Sequence, residues 1–417
     1  MSRVTAEVYA SWLPIKEPIL AGYLLFQETS RGGVFSFEYD SDFLTSPFRM
    51  QLDPSLALTS GEHYNDRSDK NFRVFLDSCP DRWGELLMKR RAALDFKNGH
   101  RDTARMTAMD YLLGVHDSYR MGGLRFKTSP EGNFVDDNVE YAAPPMASLK
   151  QLEYASMMIE NDENIDSDEY YRWLSMLIAP GSSLGGARPK ACAQDDNNDL
   201  WIAKFPNSND TTDVGAWEMA CHKLALDAGI DMYPCDIQKF NSTHHTFITK
   251  RFDRDKGQRI HFSSAMTQLQ YYDGRGETED ASYLELAEFL TVNGSQTQKD
   301  LAQLWRRIVF NIAVSNTDDH LRNHGFLLTK KGWALSPAYD LNPSIDKTGL
   351  HLNIDDMSND LDYGSAFSVA DYFNLKKSEA NKIYDEVMLS VKNWEAVASG
   401  IGISRQEQLG MQEAFRV

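Results

Sequence analysis

The rhythm of apolar and polar residues changes along this chain. Alternation at every second position runs through Val4-Thr5-Ala6-Glu7-Val8-Tyr9, Ile19 to Phe26 and Gly32-Gly33-Val34-Phe35-Ser36-Phe37, with Pro14, Pro18 and Gly32-Gly33 between the runs. That period predicts a small antiparallel sheet. Asn71 to Ala93 reads as a helix entered through Pro80, and the charges of Lys89-Arg90-Arg91 suit a helix C-terminus. Thr107 to Gly114 reads as helical. Gly122-Gly123-Leu124-Arg125-Phe126 reads as a turn into a strand, and the acidic stretch Ser129 to Ala143 as a surface loop. Polar helices are expected from Ser148 to Glu160 and from Ser167 to about Leu177.

Further on, Lys190-Ala191-Cys192-Ala193 and Leu200-Trp201-Ile202-Ala203-Lys204-Phe205 flank an Asp/Asn turn, which predicts strand, turn, strand. An amphipathic helix runs from Asp213 to Asp227 and stops at Gly229, and strands follow near Ile237 and at Thr246 to Thr249. Beyond about residue 257 apolar residues recur at three- and four-residue spacing, in Ser282 to Leu290 and Gln298 to Val314. Leu301, Leu304, Trp305, Ile308 and Ile312 are the expected core. After the strand-like Gly325 to Leu328 come a turn at Lys330-Lys331-Gly332, an acidic loop from Asn353 to Asp362, a helix from Lys376 to Val391 and a short C-terminal helix. The expectation is an α+β chain with boundaries at 1–110, 111–253 and 254–417.

The length of 417 residues and 42% hydrophobic content allow a sizeable core and two or three domains. No apolar run approaches the roughly 20 residues of a membrane helix, and the N-terminus has no signal-peptide core, so a cytoplasmic location is expected. Cys79, Cys192, Cys221 and Cys235 form no CxxC pair, which suggests neither a zinc site nor a disulfide framework. A net charge of −18 repels polyanions and counts against autonomous nucleic-acid binding. The lysines Lys376, Lys377 and Lys382 form the one local basic cluster singled out, and a solvated helix face accounts for them.

Chemistry concentrates in Asn316-Thr317-Asp318-Asp319-His320-Leu321-Arg322-Asn323. An Asp followed five residues later by an Asn suits metal-assisted phosphoryl transfer, the Asp accepting a hydroxyl proton and the Asn holding Mg²⁺. Ser336-Pro337-Ala338-Tyr339-Asp340 adds a second carboxylate. Upstream, Ala179-Pro180-Gly181-Ser182-Ser183-Leu184-Gly185-Gly186-Ala187-Arg188-Pro189-Lys190 has the glycines and basic residues of a backbone that wraps phosphates. Lys204 on the following strand is placed like the phosphate-binding lysine of a protein kinase, with Glu218 on the next helix its candidate ion-pair partner.

With these motifs in this order the chain resembles the HipA serine/threonine kinases, toxins of bacterial type II toxin–antitoxin modules. The resemblance rests on Ser183 to Lys190, Ile202-Ala203-Lys204, Arg251-Phe252-Asp253-Arg254, Asn316 to Asn323 and Ser336 to Asp340, and it spans nearly the whole chain. Pro80-Asp81-Arg82-Trp83-Gly84 and Asp110-Tyr111-Leu112-Leu113-Gly114 extend it to the N-terminal subdomain. It implies a two-lobed, protein-kinase-like fold: a mixed α/β N-lobe of two subdomains, a mainly helical C-lobe, and ATP between them.

Carried over motif by motif, the resemblance makes Asp318 the catalytic base and Asn323 and Asp340 the Mg²⁺ ligands. Ser183, Gly185, Gly186, Ala187, Lys204, Phe252, Asp253, His320 and Tyr339 become nucleotide-side residues, with Lys204 on the phosphates, backbone near Phe252 receiving the adenine and His320 supporting the catalytic loop. Ser183 occupies the family's autophosphorylation position, with Ser182 adjacent as the alternative, and Arg188 and Lys190 are candidate tethers for the phosphate. Thr317 before the base, Tyr339-Asp340 in place of Asp-Phe-Gly, and Lys250 where family members can carry an acidic residue set the chain apart. The implied partners are a protein substrate, by family precedent an aminoacyl-tRNA synthetase, and a small helix-turn-helix antitoxin through which alone DNA is reached. A HipA-like corepressor with secondary or lost catalysis and a small-molecule kinase are the rival readings.

Overall fold

Alternation in the first forty residues is resolved as burial of one strand face. In β1 (Arg3–Ala10) Ala6, Val8 and Ala10 are buried while the residues between them are not, and β2 (Ile19–Thr29) and β3 (Gly32–Tyr39) continue the antiparallel ladder. The computed structural model describes residues 3–29, 32–65, 70–137, 144–161, 168–178, 186, 188–272 and 281–417. They divide between two units, Met1–Ser208 with Asp253–Ser263, and Asn209–Phe252 with Ser264–Val417. The boundary expected at 253 lies one residue from a crossing between units, and the one expected at 110 falls inside a helix.

In the first unit, α1 (Ser41–Thr45) and β4 (Glu62–Tyr64) follow the three strands. The helix expected over Asn71 to Ala93 is instead two, α2 (Arg73–Leu76) and α3 (Arg82–Lys97). The break has a local cause. Pro80 precedes Asp81, which caps α3 by accepting the Gly84 N–H at 2.8 Å. Nor does the arginine run close that helix, which continues to Lys97. Arg91 reaches Asp95 at 3.0 Å and Ser175 Oγ at 2.6 Å, and Arg90 reaches Tyr170 OH at 3.0 Å. Both arginines thus hold α6 (Asp168–Ile178) rather than complement a helix end.

Thr107 and Asp110 form a capping box at α4 (Ala108–Leu113). The chain then returns to the sheet as β5 (Leu124–Lys127), which pairs with β1 from Glu7↔Lys127 to Ala10↔Leu124 and gives the order β4-β3-β2-β1-β5. Helices α5 (Leu149–Glu160) and α6 (Asp168–Ile178) precede β6 (Lys190–Gln194) and β7 (Leu200–Lys204). The β6–β7 turn is tied by Asp195, which accepts the Asn197 and Asp199 N–H groups at 2.9 Å and Trp201 Nε1 at 2.9 Å. Arg120 is wholly buried and donates to the carbonyls of Ser78, Leu112, Val115 and Val135 at 2.8–3.1 Å. Burial pushes its guanidinium down to about 10, so the arginine stays charged and staples the four carbonyls.

The second unit carries α7 (Val214–Asp227), the hairpin β8 (Cys235–Gln238) and β9 (Thr246–Lys250), and the helices α8 (Ala265–Gln268), α9 (Tyr283–Asn293) and α10 (Thr297–Val314). Gly215 in α7 lies so close to β9's approach that a side-chain carbon there would sit 2.2 Å from the His245 carbonyl. Leu301, Leu304, Trp305, Ile308 and Ile312 of α10 are fully buried. A hairpin of Gly325–Thr329 and Gly332–Leu335 follows, then α11 (Tyr363–Ser368), α12 (Lys377–Val391), α13 (Trp394–Ile401) and α14 (Arg405–Met411). Two helices stand where one short C-terminal helix was expected. Among the described residues no helix is long and apolar enough to cross a membrane.

His261 of the first unit is buried and stacked on Trp12 with ring centroids 4.7 Å apart, and burial lowers its imidazole to about 3. Below its ordinary value near 6.5 the unfolded chain takes up a proton that the folded chain refuses. Stability should therefore fall by about 1.4 kcal/mol per pH unit from roughly pH 6.5 downward, and this loss ends near the folded value. Urea denaturation from pH 7.5 to 4.5 should show this slope in the wild type, and His261→Phe should flatten it. An unchanged slope in the variant contradicts the assignment.

Candidate active site

The catalytic-loop sequence begins where α10 ends. Ser315 takes a left-handed conformation, φ 50°, which closes the helix, and its hydroxyl donates to the Ala414 carbonyl at 2.8 Å. Asn316 then folds back: its N–H reaches the Asn311 carbonyl at 2.8 Å and its Nδ2 the Asn311 Oδ1 at 3.1 Å, while its own Oδ1 accepts the Asn342 N–H at 3.4 Å. The two adjacent carboxylates next in line have opposite fates. The Asp318 side chain is 74% exposed and the Asp319 side chain 2%.

Asp319 is held from three sides. Tyr283 OH of α9 donates to Oδ2 in a short hydrogen bond, Asn311 Nδ2 of α10 donates to the same oxygen at 2.6 Å, and His324 Nε2 lies 2.9 Å from Oδ1. Burial alone would raise this carboxyl. The charge and hydrogen bond of His324, with the Tyr283 hydroxyl, outweigh it and hold Asp319 below the ordinary carboxylate range. The cost falls on Tyr283, whose hydroxyl is pushed well up by burial and by that neighbouring charge. Nothing in the sequence motif marks this cage, because its members come from three separate elements.

Beyond Asp319 the chain makes a short 3-10 turn, Leu321–Asn323. Asn323 N–H reaches the His320 carbonyl at 2.8 Å, and Asn323 Nδ2 donates to the Asp318 carbonyl at 2.9 Å. The amide nitrogen is spent on the backbone of Asp318. That leaves the amide oxygen, whose lone pairs can serve a metal ion. Tyr339 OH donates to the Arg322 carbonyl at 2.6 Å and ties in the second motif, whose Asp340 has the left-handed φ of 59° and lies 3.5 Å from Asn342 Nδ2. Asp318, Asp340 and His351 all act on the imidazole of His320, which burial lowers and the two carboxylates raise, with a net downward shift. His320 Nδ1 is buried and makes no hydrogen bond to any described residue.

A carboxylate and an amide oxygen are hard donors of the type Mg²⁺ takes, with water and phosphate completing its shell, so Asp340 and Asn323 fit that ion. Phe252, predicted on the adenine side, is buried and packs on Tyr339 with centroids 5.4 Å apart and on Tyr233 at 6.0 Å.

The first unit holds the other predicted residues. Lys204 ends β7 and stands across the ladder from Lys190. Glu218, its expected partner, is buried on α7 of the second unit. Lys190 is not placed as a tether for a phosphate. Lys190 is buried with its Nζ 2.6 Å from Asp81 Oδ2, and Arg188 Nε donates to the Phe205 carbonyl at 3.1 Å. Asp253 is fully buried, and its carboxylate accepts the Gly122 N–H at 2.9 Å and Arg254 Nη1, so it serves the fold. Gly186 has the left-handed φ of 106° that glycine adopts without strain. Ser182, Ser183, Gly185 and Ala187 lie outside the described residues.

The profile of the HipA-like C-terminal domain matches residues 182–394, more than half of the chain. The chain belongs to this HipA-like family. A curated Haemophilus influenzae relative, named "Putative kinase", is 29% identical over 182 residues, covering 38% of this chain and 52% of the relative. A second, "Putative kinase Y4mE" of Sinorhizobium fredii, is 28% identical over 151 residues, covering 34% and 33%. The HipA-like chain thus spans about half, or less, of these relatives' lengths. A chain of the Shewanella oneidensis MR-1 toxin–antitoxin structure of HipA, HipB and operator DNA superposes with a TM-score of 0.62 at 16% identity, over 98% of this chain and 94% of that one. The fold is that of HipA, mixed α/β with antiparallel sheets and a helix-rich C-terminal part.

Asp319→Asn removes the charge that Tyr283, Asn311 and His324 surround, and should cost roughly 3 kcal/mol or more in urea denaturation at neutral pH. Because Asp319 lies below its unfolded value, its contribution is full above the ordinary carboxylate range and is lost as pH falls through the folded value. The deficit of the variant should therefore shrink on acidification. A deficit independent of pH, or none, counts against the cage.

Proposed function

We propose that this HipA-like chain is an ATP-dependent serine/threonine protein kinase acting as the toxin of a toxin–antitoxin module. The observation that carries the reading is the contrast at Asp318-Asp319: one carboxylate is caged and the other is presented to solvent, with Asn323 bound to the carbonyl of the exposed one. An exposed carboxylate on a rigid loop is what a substrate hydroxyl needs to meet. In this reading Asp318 accepts the hydroxyl proton as the oxygen attacks the terminal phosphate of ATP, whose bond to the β–γ bridging oxygen breaks and releases ADP. Asn323 and Asp340 hold Mg²⁺, which when bound neutralises charge on the transferring phosphate. Lys204 binds the ATP phosphates, Phe252 borders the adenine, and neutral His320 offers its buried nitrogen without adding charge.

We infer that Ser183, or Ser182 beside it, is the shut-off. A phosphate of about −2 charge there would compete with the nucleotide for the same backbone donors. For partners, the reading supplies a protein substrate and a HipB-like helix-turn-helix antitoxin. The Shewanella assembly joins HipA, HipB and operator DNA. The charge of −18 supports DNA contact here only through such a partner.

Asp318→Ala and Asp340→Ala should each lower phosphate transfer from Mg-ATP to protein in cell extract by ~10³-fold or more and relieve growth inhibition, with the urea midpoint unchanged. Near wild-type transfer by either purified variant refutes the assignment. Mg-ATP should also place phosphate on Ser183, and Ser183→Ala should stay active without the shut-off. Peptide mapping that finds neither serine modified in an active preparation excludes it.

A further inference from the structure

The first unit contains an ion pair that the proposed phosphate chemistry does not use. Lys190 Nζ lies 2.6 Å from Asp81 Oδ2, and the two side chains are 1% and 0% exposed. Desolvating both charges is expensive, and removal of one strands the other in a low-dielectric interior. Asp81 is doubly committed, since its Oδ1 caps α3 through the Gly84 N–H at 2.8 Å. Lys190 is the first residue of β6, and a side-chain carbon on Gly186 would lie 3.4 Å from its Nζ. The ammonium therefore sits against the end of the glycine-rich stretch and is bonded to the N-terminus of a helix more than a hundred residues earlier in the chain.

We propose that Asp81 is a positioning residue for nucleotide binding: through Lys190 it fixes the described stem residues at the end of the glycine-rich stretch, Gly186 and Arg188 to Lys190. This rests on the kinase reading above. The buried ammonium is out of reach of a solvent-borne phosphate while Asp81 holds it, so the pair acts through geometry. A stem held by a charge pair stays in place without a hydrophobic side chain at Gly186, where the left-handed φ of 106° admits glycine readily.

Asp81→Asn separates the two duties of Asp81, because asparagine still caps a helix but carries no charge. Three full-length proteins serve: wild type, Asp81→Asn, and Asp81→Asn with Lys190→Met, which removes both charges and leaves no stranded ammonium. Calorimetric titration with Mg-ATP should show the single variant binding at least about tenfold more weakly, and the double variant recovering most of that loss. Hydrogen exchange should show faster exchange at residues 186–191 in the single variant, while the first-turn amides of α3 stay protected. Unchanged stem exchange in Asp81→Asn overturns the inference, as does wild-type affinity. Loss of α3 protection in step with the stem reduces the pair to a structural one and also overturns it. If the wild type binds no nucleotide, the kinase reading fails, and the exchange comparison alone then decides whether the pair fixes the stem.

Discussion

The geometry of the second unit depends on a carboxylate that never meets solvent. Asp319 draws α9, α10 and the segment leading into the Gly325 hairpin to one point through Tyr283, Asn311 and His324. Arg307 of α10 extends the arrangement. Its guanidinium donates to the Ser336 carbonyl in a short hydrogen bond, and the charge of Asp319 is the largest influence opposing the burial that lowers it to about 10. One buried anion and one buried cation thus join the loop bearing Asp318 to the strand end leading to Asp340. The one ion pair of the Asp318 carboxylate among the described residues is with Lys347, at 4.0 Å and well exposed. A surface pair of that kind contributes little to holding a side chain. Its position is set by the residue that follows it.

Much of this was legible in the sequence, for reasons of distance along the chain. The spacing from Asp318 to Asn323 is local, and the structure returns it as one turn in which Asn323 Nδ2 reaches the Asp318 carbonyl. The apolar spacing of α10 is likewise local, and its picked residues are buried. The misses are long-range. Lys190 read as a phosphate tether because its partner, Asp81, lies 109 residues away. Arg90 and Arg91 read as the complement of a helix end because Tyr170 and Ser175 cannot be foreseen from α3 alone. Tyr283 and Asn311 carry no motif that marks them for Asp319. The entry of α3 behind Pro80-Asp81 was legible, because a proline and a capping carboxylate are local signals.

The charge balance shows a similar difference between sum and placement. A net −18 describes the surface that a distant polyanion meets. Inside, basic residues organise the acidic chain: Arg120, Arg251 and Arg307 are all buried. Arg120 donates to four carbonyls, one at the end of α4 and three in connecting segments, and so ties together chain that no ladder joins. Counting charges could not reveal this, since a staple and a solvated arginine count equally.

Asp81 and Asp319 share a logic that bears on why buried charges persist here. A buried ion pair is often no more stabilising than well-packed apolar residues of the same volume, because desolvation offsets the attraction. An apolar cluster is tolerant of direction, however, whereas a carboxylate with two committed oxygens is not. Asp319 splits its oxygens between His324 on one side and Tyr283 with Asn311 on the other; Asp81 splits its own between Gly84 and Lys190. Each carboxylate therefore fixes an orientation as well as a location. Both stand beside segments whose proposed work needs exposed groups held still: the proposed base Asp318 in one case, Gly186 in the other. An exposed group cannot be fixed by packing against solvent. It can be fixed only through its chain neighbours, and a directional buried contact one residue away, or at the foot of the segment, meets that requirement.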